Sequence, residues 1–384
     1  MKSFVLQEDQ ISRVIGAAAA DELARRFNRH IDFLTIASWT QDTKLENGGM
    51  ALTAAEKTAC AERASTLFGF APDFLTSQSA ERISDWARML SDALRMKLNT
   101  FSFKPAARGN QDTAYQHRAD AIFQEAAAAA NILYGRRRLL SFVAPHSLIG
   151  IELSILTPNL LGVETVDARG MTPDALSKSL LFGDVLVATP TLWRYMMQEK
   201  LKAPDNTMAV SFGEPMTPEL AAEMRKSGFG VLRELYGSTE TGLIGWRDTP
   251  GEPFILFDHW RRCDDDLLRI MPDSSEERVE PMDMLEWDGE RSFSLSGRRD
   301  GAVQIGAVNV FPDVVSSTMC AHPHIKSCEI VVGRRSDGAS RLVAHIVLAD
   351  KVQPNEKTAR EIDAWCRANL RQQERPQIYN FEAP

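Results

Sequence analysis

MAVSFGEPMTPELAAEMRKSGFGVLRELYGSTETG, residues 208–242, shows how this chain folds. Met208–Phe212 is a short apolar run with the length of a buried strand. Thr217-Pro218 then opens a helix-like stretch over 217–227, with proline where a first helical turn has no use for its N–H. A second apolar run, Val231–Leu235, leads into Tyr236-Gly237-Ser238-Thr239-Glu240-Thr241-Gly242, a loop of small residues and hydroxyls. Two strands separated by a helix of this length are joined by a crossover, so the pattern predicts parallel strands with a helix packed on the sheet.

The same rhythm runs upstream. Leu139–Ala144, Val163–Val166 and Val185–Ala188 alternate with helix-like stretches at 147–157, 173–181 and 190–200, and Pro173 and Pro190 again sit in first turns. The centre of the chain is therefore an α/β core with a mostly parallel sheet. After Gly242 the runs Pro253–Phe257 and Leu267–Met271 stand between polar turns and read as antiparallel strands, a β-rich subdomain. Beyond Asp300-Gly301 come a β-like run at Val303–Val310, a helix opened by Pro312, and a strand at Glu329–Val332. Leu342, Ala344, Ile346 and Leu348 alternate as a half-buried strand. Thr358 and Glu361 form a capping-box pattern ahead of Ile362, Trp365 and Leu370. Residues 1–100 read as helical, with apolar stripes at Leu52, Ala55, Ala59, Ala64 and Leu67 and at Trp86, Leu90 and Leu94. Tyr115–Leu133 reads as one further helix, stopped by Gly135. The expected organisation is a large domain over 1–299, divergent and helical over 1–100, and a small α+β domain over 300–384.

At 384 residues the chain has room for two or three core-bearing units. Its 44 Lys and Arg against 52 Asp and Glu give a formal charge of −8, which argues against a nucleic-acid binder. The longest apolar stretch, Leu148 to Val163, is broken by Glu152, Pro158 and Asn159, so no membrane span is expected. Glu8 and Asp9 precede any apolar run, and no secretory signal is visible. Five irregularly spaced cysteines fit reduced thiols in a cytoplasm. Cys320, His322, His324 and Cys328 fall within nine positions, but their spacings match no common zinc knuckle. They read instead as a helix end and the start of a strand. Arg136-Arg137-Arg138 reads as a solvated turn between helix and strand.

The loop 236–242 follows a predicted strand of an α/β core, where ligands gather at strand carboxyl ends. Its small residues let backbone N–H groups approach a phosphate, and Glu240 is a candidate Mg²⁺ ligand. Taken alone, this composition also suits a polar turn. It is joined, however, by further motifs in a fixed order, and from about residue 100 onward the chain resembles the adenylate-forming superfamily of acyl- and aryl-CoA synthetases, peptide-synthetase adenylation domains and luciferases. Tyr236–Gly242 is similar to one of that family's most specific motifs. Ala144-Pro145-His146-Ser147-Leu148-Ile149-Gly150 resembles the strand–loop–helix whose histidine lies by the carboxylate substrate. Ser211-Phe212-Gly213-Glu214-Pro215 resembles the turn against adenine. Asp283, in Pro281–Leu285, stands where the family grips the ribose, and Gly297-Arg298-Arg299-Asp300 resembles the interdomain hinge.

The resemblance implies roles. Thr239 would contact phosphate and Glu240 would hold Mg²⁺. Gly213, Glu214, Pro215, Tyr236, Gly237 and Ser238 would line the nucleotide, with Asp283 on its ribose and Arg298 close by. His146 would face the acid, and Asp300 would act as pivot. ATP or AMP, Mg²⁺ and CoA or a phosphopantetheine are the implied cofactors. The implied partners are a carboxylic acid, with aryl acids among the candidates, and an acyl carrier protein as the alternative to CoA. No aspartate stands out as an anchor for an amino-acid ammonium group, which points to a non-amino acid. Two positions depart from the family. The phosphate loop, usually rich in hydroxyls and ending in lysine, falls at Pro105–Thr113, where Thr113 replaces the lysine and Arg108 is a candidate substitute donor, with Asp112 opposing the same charge. No lysine follows Lys357 to serve as the family's terminal catalytic lysine, so the small domain reads as truncated. Gln304 also replaces a lysine in the hinge block. Two readings stand at this point. One is an AMP-forming acid ligase with impaired ATP chemistry. The other is a degenerate, non-catalytic paralogue that binds a nucleotide or acyl-adenylate, or acts as an interaction protein in a biosynthetic pathway.

Overall fold

The computed structural model describes residues 6–96, 98–105, 114–306, 308–335 and 339–382. A nine-stranded sheet runs through its centre. Its strands, in chain order, are β1 (Arg138–Ser141), β2 (Glu164–Asp167), β3 (Asp184–Ala188), β4 (Thr207–Phe212), β5 (Phe229–Ser238), β6 (Gly242–Arg247), β7 (Phe254–Leu256), β8 (Asp283–Trp287) and β9 (Ser292–Arg298). Across the sheet they lie in the order β8-β9-β7-β6-β5-β4-β3-β1-β2. The five strands from β2 to β5 are parallel, and the four on the other side are antiparallel.

The alternation of runs and prolines is realised as read. Helices Pro173–Ser179, Pro190–Gln198 and Pro218–Lys226 each carry proline in the first turn behind a threonine N-cap, whose hydroxyl accepts an N–H of that turn. The centre of the parallel half, Val185 to Ala188 and Met208 to Val210, is buried on both faces, as crossover helices require. The antiparallel strands β6–β9 continue this sheet. A separate three-stranded sheet, Trp260–Cys263, Asp266–Ile270 and Glu276–Val279, packs beside them.

A different core fills the N-terminal region, where helices Glu8–Phe27, Ala54–Leu67 and Ile83–Met96 pack Ile11, Ile15, Leu23, Leu67, Trp86 and Leu90 together. Another unites Ile305, Val310, Met319, Leu342, Ile346, Ile362 and Cys366 near the C-terminal end. There Ile325–Arg334 and Ser340–Leu348 pair antiparallel, and Ile378–Glu382 adds a parallel edge.

Four local expectations are revised. Tyr115–Arg118 is a strand paired with Thr100–Phe103, and the helix begins only at Ala119. The strand is fixed by that distant partner, which no local periodicity reveals. The helix expected over 147–157 runs on to Leu161 through a π-turn at Glu152–Leu156, a widened register just ahead of Pro158, which has no N–H to give. The run 303–310 is a hairpin, Val303–Ile305 with Val308–Val310, turning at Gly306. Helix Glu356–Asn369 is capped by Asn355, whose carboxamide oxygen accepts the Thr358 N–H, so Thr358 is not itself the cap. Its hydroxyl bonds back to the Gln353 carbonyl.

Candidate active site

The parallel strands run β2-β1-β3-β4-β5, so the order reverses between β1 and β3. Ligands of open α/β sheets bind at the carboxyl ends beside such a switch point. Three segments singled out in the sequence leave that edge: 142–147 after β1, 213–215 after β4, and 239–241 after β5.

Around Tyr236 the structure assembles a polar group from three distant pieces of chain. The Tyr236 hydroxyl donates to Asp283 Oδ2 at 2.7 Å. Asp283 faces Arg298 across the β8–β9 pair, with Arg298 Nη1 3.7 Å from Asp283 Oδ1. Arg298 also donates twice to Asp300, at 2.9 and 2.7 Å. Burial lifts the Asp283 carboxyl above its ordinary range, opposed by the Tyr236 hydrogen bond and the Arg298 charge. Burial likewise pushes the Tyr236 phenol well up, reinforced by the Asp283 charge. On Arg298 burial acts against the charge, but Asp300, Asp283 and Glu240 together outweigh it and raise its pKa. Asp300 is lowered, first by its bonds from Arg298. Tyr115, absent from the expected set, lies in the field of Glu240, Arg298 and Asp300; burial first and Glu240 second raise its hydroxyl. Its position in a strand misread as helix hid it.

The turn carrying Thr239 and Glu240 is tight. A Cβ on Gly237 would lie 2.3 Å from the Gly242 carbonyl oxygen, and Gly242 has φ +79°, a left-handed conformation suited to glycine. Within the turn, Thr241 N–H donates to Ser238 Oγ at 3.2 Å, and the two hydroxyls stand 3.1 Å apart. Ser238 is thus engaged in the turn. The Thr239 carbonyl lies 2.7 Å from His117 Nε2. Glu240 is half-buried, and among the described residues no hydrogen bond or ion pair engages its carboxylate. An untied carboxylate oxygen in a polar turn suits Mg²⁺, a hard cation that takes one or two carboxylates and keeps several waters.

Glu214 is committed elsewhere. Its Oε1 accepts the Thr191 N–H at 2.7 Å at the start of helix Pro190–Gln198, with Arg194 3.6 Å from Oε2. Only the backbone of Gly213, Glu214 and Pro215 is left for a ligand. His146 joins the N-terminal helix and not the Tyr236 group: its Nε2 lies 3.7 Å from Asp21 Oδ2. Its Nδ1 is buried and has no hydrogen-bond partner among the described residues. Desolvation holds its pKa down to about 4, against the pull of Asp21. Ser147 behind it caps a helix start, accepting the Gly150 N–H at 3.1 Å. Arg108 and Thr113 lie outside the described residues.

Beneath the turn is a group that sequence reading missed: Glu125, Glu152, Arg269 and His259, all buried. Cys320, His322, His324 and Cys328 belong to a helix–turn–strand, where His322 Nδ1 accepts the His324 N–H and Cys328 Sγ lies 3.9 Å from Met319 Sδ. Among the described residues no three His, Cys, Asp or Glu side chains are gathered as a metal site, and no helix is long and apolar enough to cross a membrane.

No family model matches the chain. It is 29% identical over 302 residues to a 4-coumarate–CoA ligase of Halorhodospira halophila, spanning 78% of this chain and 75% of that one. It is 31% identical over 243 residues to the 4-coumarate–CoA ligase of Rhodobacter capsulatus, spanning 63% and 60%. Among solved structures, the fold is similar to that of an o-succinylbenzoate CoA synthetase double mutant from Bacillus subtilis. That match has TM-score 0.58 and 14% identity, over 97% of this chain and 89% of that one.

Proposed function

We propose that this chain, similar to 4-coumarate–CoA ligases and carrying the motifs of the adenylate-forming superfamily, activates a carboxylic acid as an acyl-adenylate and passes the acyl group to a pantetheine thiol, that of CoA or of a carrier protein. The observation that carries this reading is the Tyr236–Asp283–Arg298–Asp300 group, drawn together beside the Glu240 turn. In the first step a carboxylate oxygen of the acid attacks the α-phosphorus of ATP, and the bond from that phosphorus to the pyrophosphate oxygen breaks. In the second the thiol sulfur attacks the acyl carbon, AMP leaves, and the thiol proton passes to solvent.

The residues divide this work. Asp283 accepts hydrogen bonds from the ribose hydroxyls while Tyr236 holds its other face, a charge-assisted contact that fixes the nucleotide. Arg298 neutralises charge near the α-phosphate. Thr239 and the backbone around Gly237 and Ser238 hold phosphate oxygens, and the Gly213–Pro215 backbone abuts adenine. Glu240 would hold Mg²⁺, which supplies positive charge to offset the departing pyrophosphate. His146, beside Asp21 of the N-terminal helix, would face the acid through its buried Nδ1, which has no hydrogen-bond partner among the described residues. Asp300 is the pivot between a domain over 1–299 and one over 300–384, a division supported by the separate core near the C-terminal end. The names of the relatives make an aryl acid such as 4-coumarate the first substrate to try.

A second reading, a binding protein that no longer turns ATP over, is favoured by one feature: Thr113 at the family's phosphate-loop lysine. Losing one preorganised donor costs about 10²–10³ in rate. Calorimetric titration with ATP and with AMP, each with Mg²⁺, separates the two. Micromolar ATP binding followed by acid-dependent pyrophosphate release supports the ligase. AMP binding alone leaves thiol transfer from a supplied adenylate, and binding of neither nucleotide overturns the proposal.

A further inference from the structure

Glu125 lies on helix Ala119–Ile132 with no exposed surface, an unusual place for a carboxylate unless it is paired. Its Oε2 accepts the Leu243 N–H at 2.6 Å. Its oxygens occupy the space where a Cβ on Gly242 would stand, 2.3 Å away. Arg269 Nη1 approaches Oε1 to 2.5 Å, and Arg269 Nη2 is held by the Ala121 carbonyl at 2.8 Å. Glu152, equally buried, comes from the π-turn. Two carboxylates beside one arginine do not both ionise. Burial and the Glu125 charge push Glu152 well above the carboxylate range, so it is the one that keeps a proton. Arg269 keeps Glu125 low against the burial that opposes it.

The turn is therefore gripped from several sides. Glu125 takes the Leu243 N–H, Trp260 Nε1 donates to the Leu243 carbonyl at 2.7 Å, and His117 meets the Thr239 carbonyl. Between these grips lie Thr239 and Glu240. We infer that Glu125, clamped by Arg269 and backed by Glu152, is a positioning residue that sets the conformation of the 238–243 turn and so aims the Glu240 carboxylate. The inference rests on the reading of Glu240 as the Mg²⁺-holding group. It assigns a role to a fully buried glutamate packed behind Gly242 and Leu243.

The test compares Glu125→Gln, Glu152→Gln and Gly242→Ala in the full chain. Each is first checked by thermal melting. Hydrogen–deuterium exchange over 236–245 is then followed without ligand, and the Mg²⁺ dependence of ATP-driven pyrophosphate release is measured. Glu125→Gln keeps an oxygen for Leu243 but sets its NH₂ against Arg269, so exchange in the turn should rise about tenfold. The Mg²⁺ needed for half-maximal rate should rise about 10–100-fold, as on loss of a group that orients a metal ligand, with KM for the acid unmoved. Glu152→Gln keeps a neutral donor toward Glu125 and should leave turn exchange at the wild-type level. If Glu125→Gln does not fold, Gly242→Ala presses a methyl on the same carboxylate and should loosen the same segment. Wild-type exchange in the folded variants at Glu125 and Gly242 overturns the clamp, and so does a change confined to KM for the acid. Failure of the ligase reading looks different: the wild type binds neither ATP nor AMP, while the exchange comparison still decides whether Glu125 holds the turn.

Discussion

The Tyr236–Asp283–Arg298–Asp300 group and the Glu125–Glu152–Arg269–His259 group both adjoin the 238–243 turn, and they treat charge in opposite ways. In the first, Tyr236 is buried, but Asp283 and Arg298 are only half-buried and Asp300 is exposed. Such groups can exchange a partner for a ligand at modest cost. In the second every member is buried and the charges are settled among themselves, one acid by arginine and the other by keeping its proton. A buried charge is costly to expose or to strip of its partner, so the arrangement is rigid. The exchangeable group suits ligand contact, and the settled one suits support.

The sharpest way to break this division is at Glu240. Glu240→Gln should lower Mg²⁺-dependent product formation by about 10²–10³-fold with melting unchanged, because its carboxylate holds no structural bond; a comparable loss of melting temperature would move Glu240 to the supporting side. Next in size is the acid sensitivity of the buried imidazoles. His259 and His146 both sit at a pKa of about 4 in the folded chain, depressed chiefly by desolvation, against 6.5 unfolded. Between pH 6.5 and 4 the unfolded chain therefore binds more protons. The stabilisation is complete above pH 6.5 and is lost as pH falls through that window, by roughly 3 kcal/mol for each histidine. Urea unfolding at pH 7.5 and pH 4.5 measures it, and His259→Gln should flatten the profile.

Tyr236→Phe removes one hydrogen bond to a carboxylate and should cost about 1.5 kcal/mol in urea unfolding. It should also weaken AMP binding by a similar factor if Asp283 holds the ribose. An effect on stability without any on AMP would make this pair purely structural. The smallest effect is expected outside both groups, where Asn355→Ala removes a helix cap and should cost about 1 kcal/mol. Its melting curve should shift with nucleotide affinity unchanged.

Local sequence was enough for the parts of the molecule built on period and punctuation. The strands of the parallel half and the prolines of their crossover helices follow from repeats a few residues long, and the ordered motifs at 144–150, 211–215, 236–242, 283 and 297–300 carried the resemblance to adenylate-forming enzymes. Tertiary structure decided the rest, because burial and pairing are long-range properties. Glu125 reads in sequence like any helical glutamate, and only Arg269, 144 positions later, and Gly242 turn it into a buried clamp. Glu214 belongs to the right motif, yet its carboxylate caps the helix at Thr191. Tyr115 and His117 become a strand only through Thr100–Phe103, and only then do they reach the Glu240 turn. A residue's type sets what it can do; which partner it meets, and whether water is there as well, is settled when distant segments pack.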